Sequence, residues 1–110
     1  MYANCFLFAE PNAPPANVLG QKSSSTSIWV QWGVVPPGDQ NGVILSYTVT
    51  YRALPDGSPQ IKVVSAPTTQ AILTRLNKYT WYNITVFAST VKGDGNVSKA
   101  IVVITDEDSK

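Results

Sequence analysis

The sequence predicts an all-β protein, a sandwich of antiparallel strands in two sheets. The clearest strand lies at 82–88, where apolar residues at the even positions alternate with Asn83, Thr85 and Phe87. A period of two residues is that of a half-buried strand. Six further short segments follow the same kind of pattern at near-regular spacing, and no segment has a convincing helical period or capping box. Seven short strands with this spacing are typical of a β-sandwich.

The seven predicted strands are separated by turn-forming residues. The strands are 17–21, 28–32, 44–52, 60–65, 69–74, 82–88 and 99–105. Asn41-Gly42 closes the loop before the third strand, because an Asn-Gly pair readily takes positive φ. Pro11, Pro14 and Pro15 come before the first strand. Since proline cannot donate to a sheet ladder, this segment is expected at an edge or a domain junction, where it would stop edge-to-edge pairing.

The predicted core consists of the inward-facing side chains of these strands. Alternation in 28–32 places Trp32 inward and Trp29 outward. Tyr82 stands at the start of its strand, where its ring can pack inward while its hydroxyl returns to a backbone group upstream. This arrangement is the tyrosine corner of immunoglobulin-like sandwiches. The residues expected to form the core are Trp32, Tyr47, Tyr51, Leu76 and Tyr82.

Length and composition favour one ordinary globular domain. The chain has 110 residues, 44% of them hydrophobic, and a formal net charge of +1. A chain of this size buries about two-thirds of its unfolded surface, which is enough for a core without stabilisation by a metal ion or a disulfide. The near-neutral charge and the lack of a basic run give no support for a nucleic-acid or anionic-membrane partner. No apolar run is long enough to span a bilayer, so this segment is not expected to insert into a membrane.

The chain divides into a short leader, one domain and a short tail. Residues 1–10 carry no period and are predicted to be an unstructured leader or linker; they lack the basic n-region of a signal peptide. Residues 11–106 form the predicted domain, and 107–110 a linker tail that continues the acidic run from Asp106. Cys5 is the sole cysteine, so an internal disulfide is not possible.

Several motifs in order resemble a fibronectin type III domain over about Pro11 to Asp106. The matching pieces are Pro11 and Pro14, Ile28-Trp29-Val30-Gln31-Trp32, Asn41-Gly42, Tyr47-Thr48-Val49-Thr50-Tyr51-Arg52, Leu73-Thr74-Arg75-Leu76, Thr80-Trp81-Tyr82, Ile84-Thr85-Val86-Phe87-Ala88, Gly93-Asp94-Gly95, Ser98 and Thr105. The resemblance implies a three-stranded and a four-stranded sheet without a disulfide. One departure is Lys78, where the family usually places proline, and a looser turn before Tyr82 is the expected cost.

The resemblance implies a non-catalytic role. Family members serve as extension and recognition modules in adhesion molecules, matrix proteins and receptors. The spacing from Leu76 to Tyr82 is most similar to neural adhesion molecules and receptor tyrosine phosphatase ectodomains, and the Trp-Ser-x-Trp-Ser box of class I cytokine receptors is absent. The expected function is an extracellular spacer and protein-interaction module of a membrane-anchored or secreted protein, with its termini at opposite ends. The expected partners are neighbouring modules of the same chain and other protein domains. The alternatives are an intracellular structural module of a filament-associated protein and a ligand-binding receptor module.

Two Asn-x-Ser/Thr sequons bear on the cellular setting. They are Asn83-Ile84-Thr85 and Asn96-Val97-Ser98. Alternation turns Asn83 away from the core, and Asn96 falls in the loop between the last two strands. Because N-glycans are added to exposed asparagines in the secretory pathway, both are glycosylation candidates. The competing interpretation is chance, since serine and threonine are common in this chain.

The remaining recognition candidates lie in one loop and on the strand surfaces. Lys92-Gly93-Asp94 occupies the loop that carries an Arg-Gly-Asp integrin ligand in some family members, although the family turn pattern Gly93-x-Gly95 is the stronger explanation. Exposed Trp29, Trp81 and Phe87 are candidates for an apolar contact patch, but a residue that covers the rim of the core or packs on a neighbouring module is the simpler expectation. Arg52 and Lys62 are candidates for neighbouring cations that would bind a sulfated polysaccharide, but solvated strand faces are the simpler expectation.

No constellation of residues predicts catalysis, a cofactor or a metal site. Histidine is absent, which removes the usual zinc ligand and general base. Asp39, Asp56 and Asp94 fall in separate turns, where aspartate is expected for its own backbone bonding. The acidic run that begins at Asp106 lies near a terminus and does not form a calcium cage.

Overall fold

Two antiparallel sheets packed face to face make up the described part of the chain. The computed structural model describes residues 11–107, and the predicted leader at 1–10 and most of the predicted tail lie outside them. The first sheet has the order β1-β2-β5 and the second the order β4-β3-β6-β7, with β8 also paired to β6. The strands are β1 Leu19–Ser24, β2 Ser27–Gln31, β3 Ser46–Ala53, β4 Gln60–Ser65, β5 Gln70–Leu73, β6 Trp81–Thr90, β7 Gly93–Asp94 and β8 Ile101–Ile104. A single 3₁₀ turn spans Pro37–Asp39. The predicted sandwich is confirmed.

The described residues form eight strands instead of the predicted seven, because the two-residue strand β7 was not expected, whereas β8 lies within the last predicted strand at 99–105. Asp94 and Ile101 are seven residues apart, whereas their partners on β6, Ser89 and Ile84, are five apart. The extra residues bulge out of the ladder. Within the bulge the hydroxyl of Ser98 accepts a hydrogen bond from the Val86 N–H at 2.9 Å, so a side chain replaces a ladder carbonyl.

The first strand is also displaced from its predicted limits. It was expected at 17–21, but β1 begins at Leu19 and continues to Ser24. Asn17 has φ of 50°, which no strand residue takes. A tertiary contact places β1 close to β8: a Cβ on Gly20 would lie 3.0 Å from the side chains of Ile101 and Val103. Glycine therefore lets the two sheets approach at this edge.

The core fills the space between the two sheets. Trp32 and Tyr47 pack ring against ring, with centroids 5.5 Å apart and planes tilted by 56°. Burial raises the pKa of the Tyr47 phenol. The indole N–H of Trp32 has no acceptor within the part of the chain described. The buried hydrophobic residues are Ile28, Val30, Trp32, Val35, Tyr47, Val49, Tyr51, Ala71, Leu73, Leu76, Tyr82, Ile84, Val86 and Ala88.

The tyrosine corner joins the two sheets before β6. The Tyr82 hydroxyl accepts a hydrogen bond from the Asn77 N–H at 2.7 Å. Thr105, which is 1% exposed, closes the same turn from β8: its hydroxyl accepts from the Thr80 N–H at 3.0 Å and donates to the Asn77 carbonyl at 2.7 Å. The turn that contains Lys78 is therefore hydrogen-bonded on both sides, and the looser turn expected there is not found.

The described chain enters the sandwich at one end and leaves it at the other. The Asn12 N–H donates to the Asp39 carbonyl at 2.7 Å, and the Asn12 carbonyl accepts from the side chain of Asn96, beyond the last residue of β6. At the opposite end the Tyr79 N–H donates to the Asp106 carbonyl at 2.9 Å, just before β6 begins. The ten residues of β6 separate these N-terminal and C-terminal ends by about 30 Å.

The facing of β2 is tested by truncating Trp29 on the strand and Trp32, the residue that directly follows it. Trp32→Ala is expected to lower the free energy of unfolding by about 3–5 kcal/mol, because it empties a large space in the core. Trp29→Ala, on the outer face of β2, is the matched control and should cost clearly less. Urea denaturation of both variants measures the difference. A Trp32→Ala variant about as stable as the wild type would contradict this facing.

The contribution of the corner hydrogen bond is tested by removing one oxygen. Tyr82→Phe keeps the buried ring and is expected to lower the free energy of unfolding by about 0.5–1.5 kcal/mol, the net worth of one hydrogen bond. Tyr79→Phe is the control, since the Tyr79 side chain is 63% exposed; a change within about 0.5 kcal/mol is expected there. Equal effects at the two positions in thermal or urea unfolding would refute a special role for Tyr82.

Candidate interaction surfaces and glycosylation sites

The outward surface of the larger sheet, here called the outer face, is unusually apolar. Strand register places the alternate residues of β4, β3, β6 and β8 on it. Four large apolar side chains there are about half exposed or more: Ile61 64%, Val63 54%, Trp81 51% and Val102 49%. The paired positions of this face hold two ionisable residues, Arg52 and Asp94. These exposed apolar side chains make the outer face a candidate contact surface.

Packing among the outer-face side chains is already tight in places. Thr48 lies directly between Val63 on β4 and Phe87 on β6. Although its side chain points outward, Thr48 is 7% exposed. The neighbouring side chains therefore cover the sheet backbone here, and what they leave exposed to solvent is mainly hydrocarbon.

Asn83 lies on the outer face, two residues from the start of β6. It is paired with Arg52 on one side and Val102 on the other. Its side chain is half-buried, and no hydrogen bond links its amide group to another side chain or to the backbone of residues 11–107. Thr85, the third residue of the sequon, is on the same face two residues further along β6. The predicted outward facing of Asn83 is found, and the sequon remains a candidate glycosylation site.

Asn96 lies in the bulge between β7 and β8. Its side chain is exposed, but its Nδ2 atom, to which a glycan would attach, donates a hydrogen bond to the Asn12 carbonyl. The hydroxyl of Ser98, the third residue of this sequon, is buried and donates to the Lys99 carbonyl at 3.2 Å. The polar groups of this sequon therefore hold the bulge in place. Asn96 remains a candidate, with its amide already engaged in the folded domain.

The Lys92-Gly93-Asp94 triplet is not a free loop. Gly93 and Asp94 form β7 and are paired with Thr90 and Ser89, so the expected position in an open loop is wrong for these two residues. The Asp94 carboxylate accepts a hydrogen bond from the Ser89 hydroxyl at 2.7 Å. The Lys92 N–H donates to the Thr90 hydroxyl at 3.2 Å. This tight hairpin uses the carboxylate that an integrin ligand would have to present to a metal ion.

The three surface aromatic residues do not form one patch. Trp29 lies on the outer surface of the smaller sheet, where its indole N–H donates to the Gln70 side chain at 3.2 Å. Trp81 and Phe87 lie on the other sheet, six residues apart on β6 and thus about 20 Å from each other. The expectation of a single aromatic patch is therefore corrected by the register.

The two candidate cations also point to opposite sides of their sheet. Lys62 pairs with Val49, whose side chain faces the core, while Arg52 pairs with the outward Asn83. Side chains directly opposite each other share a face. Arg52 and Lys62 therefore cannot form one anion-binding pair, and Arg52 instead donates to the nearby Pro55 carbonyl at 3.4 Å.

Residues 11–107 contain no group of three or more metal-ligating side chains. No helix among these residues is long and apolar enough to cross a membrane. Cys5 lies outside the described residues. Sequence reasoning named Thr105 and Ser98 as motif positions but did not predict that their side chains complete backbone hydrogen bonding. Neither role has a local signature, because each bond joins residues at least 12 positions apart.

Comparison with known proteins agrees with the fold. The family model described as fibronectin type III domain matches residues 13–104. Protein sidekick-1 of Gallus gallus is 42% identical over 94 residues, which is 84% of this chain and 4% of that protein. Receptor-type tyrosine-protein phosphatase F of Mus musculus is 38% identical over 100 residues, 86% of this chain and 5% of that protein. The chain thus spans about one-twentieth of the length of these relatives.

Two solved structures share the architecture. The FN1–FN3 domains of chicken CNTN1 superpose with a TM-score of 0.80 at 29% identity, covering 89% of this chain and 33% of that one. The FN5 domain of Drosophila Lar superposes with a TM-score of 0.70 at 33% identity, covering 86% of this chain and 98% of that one. Both similarities confirm the resemblance drawn from the sequence motifs.

The role of Asp94 is tested by two substitutions that break the same hydrogen bond. Asp94→Ala and Ser89→Ala are each expected to lower the free energy of unfolding by less than about 1 kcal/mol, since the bond is exposed. Adhesion of integrin-bearing cells to the immobilised domain should be the same for both variants and the wild type. Loss of adhesion with Asp94→Ala but not with Ser89→Ala would establish Asp94 as an integrin ligand.

Proposed function

Because the chain belongs to the fibronectin type III family, we propose that it is a non-catalytic extracellular module. It spaces its neighbours in a cell-surface protein and contacts other protein domains. Relatives of this chain include protein sidekick-1 and receptor-type tyrosine-protein phosphatase F. The phosphatase activity in the second name is not transferred, because the match covers 5% of that protein.

The path of the chain carries this proposal. The described chain enters at the end held by the Asn12–Asp39 hydrogen bond and leaves at the end held by the Tyr79–Asp106 hydrogen bond. A module with this geometry adds its full length, about 30 Å from the ten residues of β6, to the reach of the protein that contains it. A sandwich with both termini at one end would add little.

Both ends of the sandwich offer apolar contact surface. Val34, Val43 and Val91 lie in loops at the N-terminal end, and each is more than half exposed. Tyr79 is similarly exposed at the C-terminal end. Exposed apolar residues at both ends suit contact with a preceding and a following domain, whose partial burial of these residues would stiffen the array.

The two sequons support an extracellular setting. Asn83 and Asn96 both have exposed or half-exposed side chains, as attachment of an N-glycan requires. In an intracellular filament protein neither sequon would be glycosylated, because N-glycans are added in the secretory pathway. The extracellular proposal therefore also names the two asparagines as modification sites.

Antibody labelling of intact cells tests the proposed setting. An antibody raised against residues 11–107 is expected to label, without permeabilisation, cells that make the endogenous protein, whereas an antibody to a cytosolic protein should not. Brief treatment of the same cells with protease should remove the signal. Labelling only after permeabilisation would contradict the proposal and would favour the intracellular structural alternative.

A further inference from the structure

The outer face exposes large apolar side chains to solvent. Ile61, Val63, Trp81 and Val102 expose hydrocarbon on it, and its position along the side of the sandwich keeps it away from the domains that would follow at the two ends. Exposed hydrocarbon favours self-association unless something shields it. The described strands make up two sheets, and none of them forms a third layer on this surface.

A covalent attachment point lies on that surface, next to Trp81 and Val102. Asn83 is paired with Val102 across one strand boundary, about 5 Å away, and Trp81 is two residues along the same strand, about 7 Å away. On the other side lie Arg52 and, one row further, Thr50. A group attached to the Asn83 amide would therefore begin within contact distance of two of the exposed apolar side chains.

The chemistry of a glycan matches these neighbours. A pyranose ring has an apolar face of C–H groups that stacks on an indole ring or an aliphatic side chain, while its hydroxyls stay hydrated or bind polar groups. Trp81 and Val102 provide the apolar contacts, and Arg52, Thr50 and Thr85 provide hydrogen-bonding partners around them. The surroundings of Asn83 therefore offer both the apolar and the polar contacts that a sugar chain can make.

The folded structure also distinguishes the two sequons. The amide of Asn83 makes no side-chain hydrogen bond with the described part of the chain, whereas that of Asn96 is bonded to the Asn12 carbonyl. We propose that an N-linked glycan on Asn83 covers the outer face of the larger sheet and shields Trp81 and Val102 from solvent. This inference rests on the proposed extracellular setting and adds to it the site and purpose of the modification.

The proposal assigns different tasks to different surfaces of the module. The glycan covers the side of the larger sheet, so that protein contacts are directed to the two ends and to the smaller sheet. Strand β4 lies at the edge of the covered face, with Ile61 and Val63 pointing the same way as Asn83. A glycan that extends across β3 would reach these residues too, and would hinder pairing of the open β4 edge with another chain.

The test uses the full 110-residue chain, secreted from mammalian cells behind an added signal peptide. Intact mass spectrometry reports occupancy of each sequon in the wild type and in Asn83→Gln, Thr85→Val, Thr85→Ser and Asn96→Gln. The expected result is a glycan on Asn83 in the wild type and Thr85→Ser, and its loss in Asn83→Gln and Thr85→Val. Binding of an apolar fluorescent dye should rise several-fold in the two variants without it. Sedimentation should show self-association in these variants.

Two controls make the readout specific to this face. Asn96→Gln should leave dye binding unchanged. Adding Val102→Thr to Asn83→Gln should reduce the extra dye binding, because it removes one of the side chains that the glycan covers. An increase in dye binding that Val102→Thr does not reduce would place the exposed surface elsewhere and overturn the inference.

The remaining outcomes separate this inference from the proposed function. A glycan on Asn83 whose removal changes neither dye binding nor sedimentation overturns the covering role but leaves the extracellular module intact. A glycan on Asn96 with Asn83 unmodified has the same consequence. If both asparagines are unmodified, the inference fails, and the extracellular setting then depends on the intact-cell labelling described above.

Discussion

The hydrogen bond from the Asn77 N–H to the Tyr82 hydroxyl is the constraint on which the rest of the sandwich depends. The chain leaves the smaller sheet after β5 and must enter the larger sheet at β6 within a few residues. Buried Leu76 anchors the start of this crossing, where its N–H donates to the Thr26 carbonyl at 3.0 Å. Tyr82 then fixes the crossing to the core, because its ring is buried there while its hydroxyl accepts a hydrogen bond from the Asn77 N–H in the crossing. Thr105, directly after β8, stabilises the same crossing through hydrogen bonds to the Thr80 N–H and the Asn77 carbonyl.

This corner determines how β6 is placed, and β6 in turn organises the larger sheet. It pairs with β3 along one side and with β7 and β8 along the other. Its even-numbered residues enter the core and its odd-numbered residues, Asn83 among them, form the centre of the outer face. The C-terminal exit is tied to the same corner through the Tyr79–Asp106 hydrogen bond. The fold, the separation of the two ends and the position of the sequon therefore follow from one local arrangement.

Strand patterns and the corner could be predicted from the sequence because their signals are local. Alternation along 82–88 shows directly which side chains are buried, and Tyr82 stands where a corner requires it. The break between β7 and β8 could not be predicted. It depends on the Ser98 hydroxyl, which replaces a ladder carbonyl as the acceptor for the N–H of Val86, 12 positions earlier in the chain. The relative facing of Arg52 and Lys62 could not be predicted for a similar reason: proximity of strands can be inferred from sequence, but register, which decides the face, is set by tertiary packing.

Native-state hydrogen exchange at two amides tests the central role of the corner most directly. The N–H groups of Asn77 and Thr80 both donate to side-chain hydroxyls, one from Tyr82 and one from Thr105. If the corner holds the two sheets together, these loop amides should exchange only through global unfolding, with the same opening free energy as the slowest ladder amides of β6. Exchange at the rate of an exposed turn would show that the crossing opens independently of the sandwich, and the account would be wrong.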